Sequence, residues 1–400
     1  MRAKCLMVLG AGILQVSVIK KARELGIYCL AVDGDPNAVG FTFADKFIVA
    51  NITDPKKMLE IARNEMVDGI IHPCSEVAMR SLGYVNDVLG LSGIGTETVI
   101  RATNKEMMRR AFENGGAPTP KSIAVSSERD VLDAFLLIKG DAIVKPSRNS
   151  GSRGVSFIPQ NANESQILFA YNRALSESRD ASVVIEEFIV GPEFSVEILI
   201  WNNQIKVLTV TDKLTTNEPY FVELGHSQPS QFSAKDVQLI IEAAIAGVKS
   251  LNLKQCVAHA ELKLSDNGPF LMEIGARLGG DFISTELVHL STGIDMVACA
   301  INIALGLEPD LNFKSKPQGA AIRYFVPSPG IVKEIVGYYN ALENENVYDC
   351  KIYVEAGDIV QSLKSSLDRC GHIITTGENV YKAVELADEM KTKIKILTRL

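Results

Sequence analysis

Two glutamates, Glu261 and Glu273, lie in apolar runs on either side of the turn-forming string Ser265-Asp266-Asn267-Gly268-Pro269. Alternate residues of a strand share a face, so His259, Glu261 and Lys263 lie together. A five-residue loop pairs Leu264 with Phe270 and sets Glu261 directly opposite Glu273, on one face; a two-residue loop would put them on opposite faces. Facing carboxylates repel, and a hard divalent cation relieves the repulsion, since Mg²⁺ uses one or two carboxylates together with phosphate oxygens. The competing reading is a solvated polar face. Against it, Leu271-Met272-Glu273-Ile274 is apolar but for one acid, and Arg277 follows in Gly275-Ala276-Arg277-Leu278-Gly279-Gly280.

Two further strings suit a nucleotide. Ser147-Arg148-Asn149-Ser150-Gly151-Ser152-Arg153-Gly154, preceded by Lys145, combines small residues with cations. Its backbone N–H groups can approach an anion closely, although a solvated surface hairpin has the same composition. Val183-Val184-Ile185-Glu186-Glu187-Phe188-Ile189-Val190-Gly191-Pro192-Glu193 is a buried strand ending in acids, then an apolar hinge and another acid. Hinge N–H and C=O groups can pair with an adenine edge, and a carboxylate beyond them can hold ribose hydroxyls.

Gly10-Ala11-Gly12 occupies the place of a dinucleotide phosphate loop, but Gln15 stands where the third glycine belongs, so the reading here is a sharp strand-to-helix turn. His226 can bind or deprotonate an amine, or be an ordinary loop histidine. His259 reads as structural despite sharing a face with Glu261. His72 falls at the end of a parallel strand, where ligands often sit. Arg323 reaches substrate or pairs with an acid.

These residues need elements to hold them. The first hundred residues alternate strand and helix: strands at 4–9, 28–33, 47–50 and 69–72, helices at 13–25 and 54–64, hence a parallel sheet covered on both faces. Asn104 caps a helix over 105–114, and Pro118 and Pro120 mark a linker. An α+β segment follows, with strands at 142–145, 155–158 and 182–186, a helix at 164–177, and a hairpin of 194–201 with 204–211 through Asn202-Asn203. A helix over 234–251, the glutamate hairpin 257–274 and helices near 283–291 and 295–306 come next, then an α+β tail. The fold class is therefore α/β and α+β.

The chain has 400 residues, 41 basic and 48 acidic, for a net charge of −7. Such a balance gives no reason to expect nucleic acid or an anionic membrane as partner. The seven cysteines form no C-x-x-C pair, which argues against a disulfide framework or zinc knuckle and for a cytoplasmic protein. Arg2, Lys4 and the run Leu6–Leu9 mimic a secretory signal, but the glycine turn and Lys20 that follow fit a strand and helix better.

In this order the three signals resemble the ATP-grasp superfamily, in particular its carboxylate–amine ligases, from about residue 3 to residue 310. The resemblance implies a pre-ATP-grasp α/β domain over 1–103, an ATP-grasp domain over 104–310 (a first lobe to 185 with the flexible loop, a second from 186 with the metal site) and a C-terminal region over 311–400. It implies that Lys105 and Lys145 bind ATP phosphates, with Ser150, Gly151 and Ser152 of the loop above them. Glu186, Glu187, Phe188 and Ile189 match the adenine hinge, Glu193 the ribose acid, and Glu261 and Glu273 the ligands of Mg²⁺ or Mn²⁺. Many members read Glu-x-Asn-x-Arg where this chain has Glu273-Ile274-Gly275-Ala276-Arg277, which puts a second metal ion in doubt. A narrower resemblance is to L-amino-acid ligases that make dipeptides. It implies that Glu223 and His226 hold an amino group, that Arg277 stabilises the oxyanion, and that Asp281 lies at the pocket for the incoming amine.

The implied chemistry is an ADP-forming ligation: an acyl phosphate forms from ATP and a carboxylate, then an amine displaces phosphate. Lys105, Lys145 and metal supply charge for phosphoryl transfer, and loop closure keeps water out. An Asp281 at that pocket favours polar or basic amines; the competing reading makes it the N-cap of the helix near Ile283. The expected partners are small-molecule carboxylates and amines, with a homodimer as the assembly to test. Alternatives are a ligase of purine or carbamoyl-phosphate type, a nicotinamide-linked oxidoreductase, and a nucleotide-binding regulator without turnover.

Overall fold

The structure is a computed structural model that describes residues 2–148, 153–178, 181–218 and 220–399. Its N-terminal sheet has four parallel strands in the order Lys46–Val49, Tyr28–Asp33, Cys5–Leu9, Gly69–Ile71. Strand Cys5–Leu9 is buried throughout, and its alternate residues serve two cores. Met7 and Leu9 pack with Met58 and Leu59 of helix Pro55–Asn64, whereas Leu6 and Val8 pack with Val18 and Ile19 of helix Val16–Glu24. That two-faced burial is why the strand reads as a continuous apolar run.

The glycine turn after this strand is filled by its own chain. A Cβ on Gly10 would meet the Gln15 side chain at 3.1 Å, and Gln15 is buried with Nε2 donating to the Pro73 carbonyl. Asp33 accepts from the Ala11 N–H at 2.6 Å. The turn is thus closed by side chains and backbone, as the missing third glycine suggested.

A second sheet is antiparallel, in the order Ser122–Val125, Val183–Glu187, Ala142–Pro146, Ser156–Ile158. Helices Glu128–Ile138 and Glu164–Glu177 share its core. The largest sheet has eight antiparallel strands: Gly268–Gly275, Cys256–Ser265, Glu193–Trp201, Gln204–Thr215, Glu223–Gln228, Gly319–Tyr324, Gly371–Gly377 and Val347–Ile352. Three strands from the end of the chain therefore extend this central sheet. Gly330–Val336, Ile359–Val360 and Lys395–Arg399 form a separate small sheet. Among the described residues no single helix is long and apolar enough to cross a membrane.

The glutamate hairpin corrects one step of the sequence reading. Its turn has two residues, with Ser265 opposite Gly268 and Leu262 opposite Leu271. Continued regularly, that register would put Glu261 and Glu273 on opposite faces. Met272 is the extra residue of a bulge in strand Gly268–Gly275, opposite the step from Glu261 to Leu262, and it restores the pairing, so Glu261 does face Glu273. A bulge inserts one residue into one strand and re-aims the side chains beyond it. Arg109 holds this one by donating to the carbonyls of Leu271 at 3.3 Å and Met272 at 2.6 Å.

Candidate active site

Helix Lys105–Gly115 starts at Asn104, whose side chain accepts from the Met107 N–H at 2.9 Å. That cap sets Lys105 at the helix mouth, and its Nζ lies 2.9 Å from a Glu273 oxygen. One turn later Arg109 grips Glu186 with two bonds of 2.8 and 3.0 Å. Lys145, from the second sheet, reaches the same carboxylate at 2.5 Å. Arg109, Lys145 and Glu186 are all buried. Burial alone would raise the Glu186 pKa, but the two cations outweigh it and bring it to about 2. Burial lowers Lys145 to about 8, because the pull of Glu186 is offset by the nearby Arg109 and Lys105 charges.

The hinge runs straight on from Glu186. The Glu187 and Phe188 N–H groups are spent on the carbonyls of Lys121 and Asp141. Phe188 packs edge-on to Phe157, with ring centroids 4.9 Å apart, and near Phe221 at 5.9 Å. Lys263 sits over both Phe188 and Phe221 and pairs with Glu193 at 3.1 Å. The result is a cluster of aromatic rings beside the Lys263–Glu193 pair.

Lys105, Lys145, Glu187, Phe188, Ile189 and Glu193 line a single cleft, which also takes in Glu186, Glu223, Glu261, Glu273 and Arg277. Ser150, Gly151 and Ser152 lie outside the described residues. Glu261 and Glu273 keep 39% and 22% of their side chains exposed to the cleft. Lys213 holds Glu261 well below the usual carboxylate range. Burial would raise Glu273, but Lys105 outweighs it and the shift is downward. Among the described residues no three His, Cys, Asp or Glu side chains gather as a metal cage. A pair of ionised, cleft-facing carboxylates fits Mg²⁺ that brings its own phosphate and water oxygens.

Gly275 has a physical reason. A Cβ there would stand 2.8 Å from the Arg277 guanidinium carbon, so the residue makes way for the arginine. Arg277 is tied to Glu76 at 3.1 Å and to the Leu278 carbonyl, and its Nε is buried without a partner.

His226 and Asp281 are not among the residues that line this cleft. His226 is buried, with Nε2 3.4 Å from Asp281, and burial lowers its pKa. Asp281 is held by Arg369 through two bonds of 2.7 and 2.8 Å. Burial would raise its pKa, but Arg369 and His226 drive it far down. Two expectations change here. Asp281 is not the helix N-cap: it has φ +54°, and Phe282 occupies that position without a side-chain cap bond. Nor does its carboxylate wait for a cationic substrate, since Arg369 already satisfies it.

His72, His259 and Arg323 also have partners within the chain. His72 is buried and held by the Leu9 carbonyl, Ser75 and the Ala78 N–H, and burial lowers it to about 4, so it is a neutral structural group. Arg323 pairs with Asp388 at 2.6 Å. His259 is buried between Glu197 and Glu261; burial would lower its pKa, but Glu197 above all raises it to about 9.

Sequence reasoning missed Arg109, Glu76, Glu197, Lys213 and Arg369. Arg109 left a signal, since it lies four residues after Lys105 and so on the same helix face. Lys213, 3.6 Å from Glu223 and 3.4 Å from Glu261, left none beyond its place in a strand. The partners of Glu76 and Arg369 come from distant segments.

The ATP-grasp domain family matches residues 138–286, and the L-amino acid ligase C-terminal domain 2 matches residues 323–399. A formate-dependent phosphoribosylglycinamide formyltransferase of Methanococcus maripaludis is 30% identical, over 98% of this chain and 97% of its own. An L-arginine-specific L-amino acid ligase of Bacillus subtilis is 24% identical, over 80% of this chain and 78% of its own. The crystal structure of an L-amino acid ligase from Bacillus licheniformis superposes with a TM-score of 0.86 at 20% identity, covering all of both chains. The biotin carboxylase domain of a 2-oxoglutarate carboxylase from Hydrogenobacter thermophilus, solved in complex with MgADP, superposes with a TM-score of 0.76 at 15% identity, covering 99% of this chain and 91% of its own. The chain belongs to the ATP-grasp family of ATP-dependent carbon–nitrogen ligases.

Proposed function

We propose that this enzyme activates the carboxylate of an amino acid as an acyl phosphate, with release of ADP, and condenses it with an amine to form an amide or peptide bond. The observation that carries this reading is the meeting of three groups in one cleft: the cations Lys105 and Lys145, the facing carboxylates Glu261 and Glu273, and Arg277 with a buried Nε left unpaired. The match of residues 323–399 to an L-amino acid ligase domain supports the amino-acid class.

The adenine lies against Phe188, with the N–H of Ile189 as hinge donor and Glu193 at the ribose. Lys105 and Lys145 hold the phosphates. Glu261 and Glu273 would hold Mg²⁺ or Mn²⁺, which when bound would supply positive charge for phosphoryl transfer. A carboxylate oxygen of the first substrate attacks the γ-phosphorus and ADP departs. The amine nitrogen then attacks the acyl carbon, Arg277 stabilises the oxyanion, and phosphate leaves with the carbonyl restored. Glu223, hydrogen-bonded to Ser366 at 2.8 Å, faces the cleft as the group for the first substrate's amine, with His226 behind it.

An ADP-release screen of paired amino acids with MgATP, read out by product mass, tests the proposal. Amide product with stoichiometric ADP is expected. The formyltransferase relative favours a second reading, in which the amine belongs to a phosphoribosyl compound. Turnover only with such a compound, and with no amino-acid pair, would establish that reading instead.

A further inference from the structure

His259 bridges Glu261 and a second acid, Glu197, that the mechanism leaves unused. Its Nδ1 meets Glu197, and its Nε2 lies 3.3 Å from Glu261. The other Glu197 oxygen accepts from the Ser284 hydroxyl at 2.7 Å, and that hydroxyl accepts from the Gly279 N–H at 2.7 Å. Glu197 and Ser284 are wholly buried. The chain of bonds thus runs from a cleft-facing carboxylate, through the imidazole, to the backbone beyond Arg277.

This arrangement is built into the fold. Strands Glu193–Trp201 and Cys256–Ser265 pair with His259 opposite Glu197, which sets the two side chains on one face. Position 279 must be glycine, since a Cβ there would lie 2.5 Å from the His259 Nδ1. A buried acid such as Glu197 needs a partner, and in an all-apolar site it would be expelled or neutralised. Here its partners are spent on holding one imidazole at a set angle.

We infer that His259, anchored by Glu197, is a positioning residue that aims Glu261 at the metal ion. The inference rests on the proposed role of Glu261 as a metal ligand. Outer partners that orient a metal ligand typically contribute about 10–100-fold to metal affinity.

Mn²⁺ affinity of the enzyme–ADP complex, titrated by electron paramagnetic resonance, tests this without turnover. ADP affinity in excess chelator, by calorimetry, reports the intact nucleotide cleft. His259→Ala should weaken Mn²⁺ about 10-fold or more while metal-free ADP binding stays unchanged. His259→Gln, whose amide nitrogen falls near the Nε2 position, should recover part of the loss. Gly279→Ala, which crowds the imidazole, should weaken Mn²⁺ in the same direction. Wild-type Mn²⁺ affinity in His259→Ala, with Glu261→Gln impaired, would overturn the positioning role and leave the ligand assignment standing. Unchanged affinity in Glu261→Gln would overturn the ligand assignment itself. Equal loss of Mn²⁺ and metal-free ADP binding in both His259 variants would reduce His259 to a fold-maintaining residue and overturn the inference.

Discussion

Lys145 shares one buried carboxylate with Arg109 while Lys105 stands close by, and its pKa falls to about 8 because burial disfavours its charge. A phosphate-binding lysine must be protonated. Below that value the charge is present, and above it the charge is lost. The kcat/KM for ATP, which reports the free enzyme, should therefore fall as pH rises through about 8. Lys145→Arg should remove this limb, because a guanidinium stays charged across the range. Lys145→Ala should lower kcat/KM about 10²–10³-fold at pH 7, as losing one electrostatic contact to a transition state typically does. A basic limb that persists unchanged in Lys145→Arg would assign it to another group.

At the scale of elements, Arg109 joins three pieces: its own helix, the strand ending at Glu186, and the bulge at Leu271–Met272. Both members of the Arg109–Glu186 pair are almost fully buried. Removing one partner strands a buried charge, so Arg109→Met should destabilise the fold by about 3–5 kcal/mol, measured by urea unfolding. A loss under about 1 kcal/mol would show that Lys145 alone suffices for Glu186.

Much of this scale was legible beforehand. Helix 164–177 and strand 28–33 are found where periodicity put them, and the Asn104 cap acts as read. The pairing of Glu261 with Glu273 was also foreseen, but through a long turn, whereas a short turn and a bulge produce it. Bulges leave no reliable trace in one sequence, because they answer to tertiary partners such as Arg109. Strand Glu223–Gln228 escaped detection for a related reason. Its Glu, His, Ser and Gln side chains read as a loop, yet most are buried against other polar groups in the middle of the largest sheet.

Across the whole molecule, the end of the chain is part of the site's frame. Arg369 reaches back to Asp281 and lies 3.7 Å from the Tyr324 ring centre, and Tyr324 donates to the Asp281 carbonyl at 3.1 Å. Asp281 and Phe282 both adopt positive φ, at +54° and +62°. Non-glycine residues hold that conformation only when their surroundings over-determine it. Asp281→Asn should therefore lower stability by about 2 kcal/mol, less than for a fully buried pair because Asp281 keeps some solvent contact. Unaltered thermal unfolding in that variant would show that the loop is held without the pair.

In the proposed reaction a carboxylate takes the γ-phosphoryl group from ATP before the amine attacks. Isotope transfer tests it most directly. The enzyme would be incubated with MgATP and a mixture of amino acids carrying ¹⁸O in their α-carboxylates, and the released phosphate analysed by mass spectrometry. Phosphate bearing one ¹⁸O is expected, formed together with ADP and an amide product. Turnover that yields AMP and pyrophosphate, or amide formation with wholly unlabelled phosphate, would contradict it.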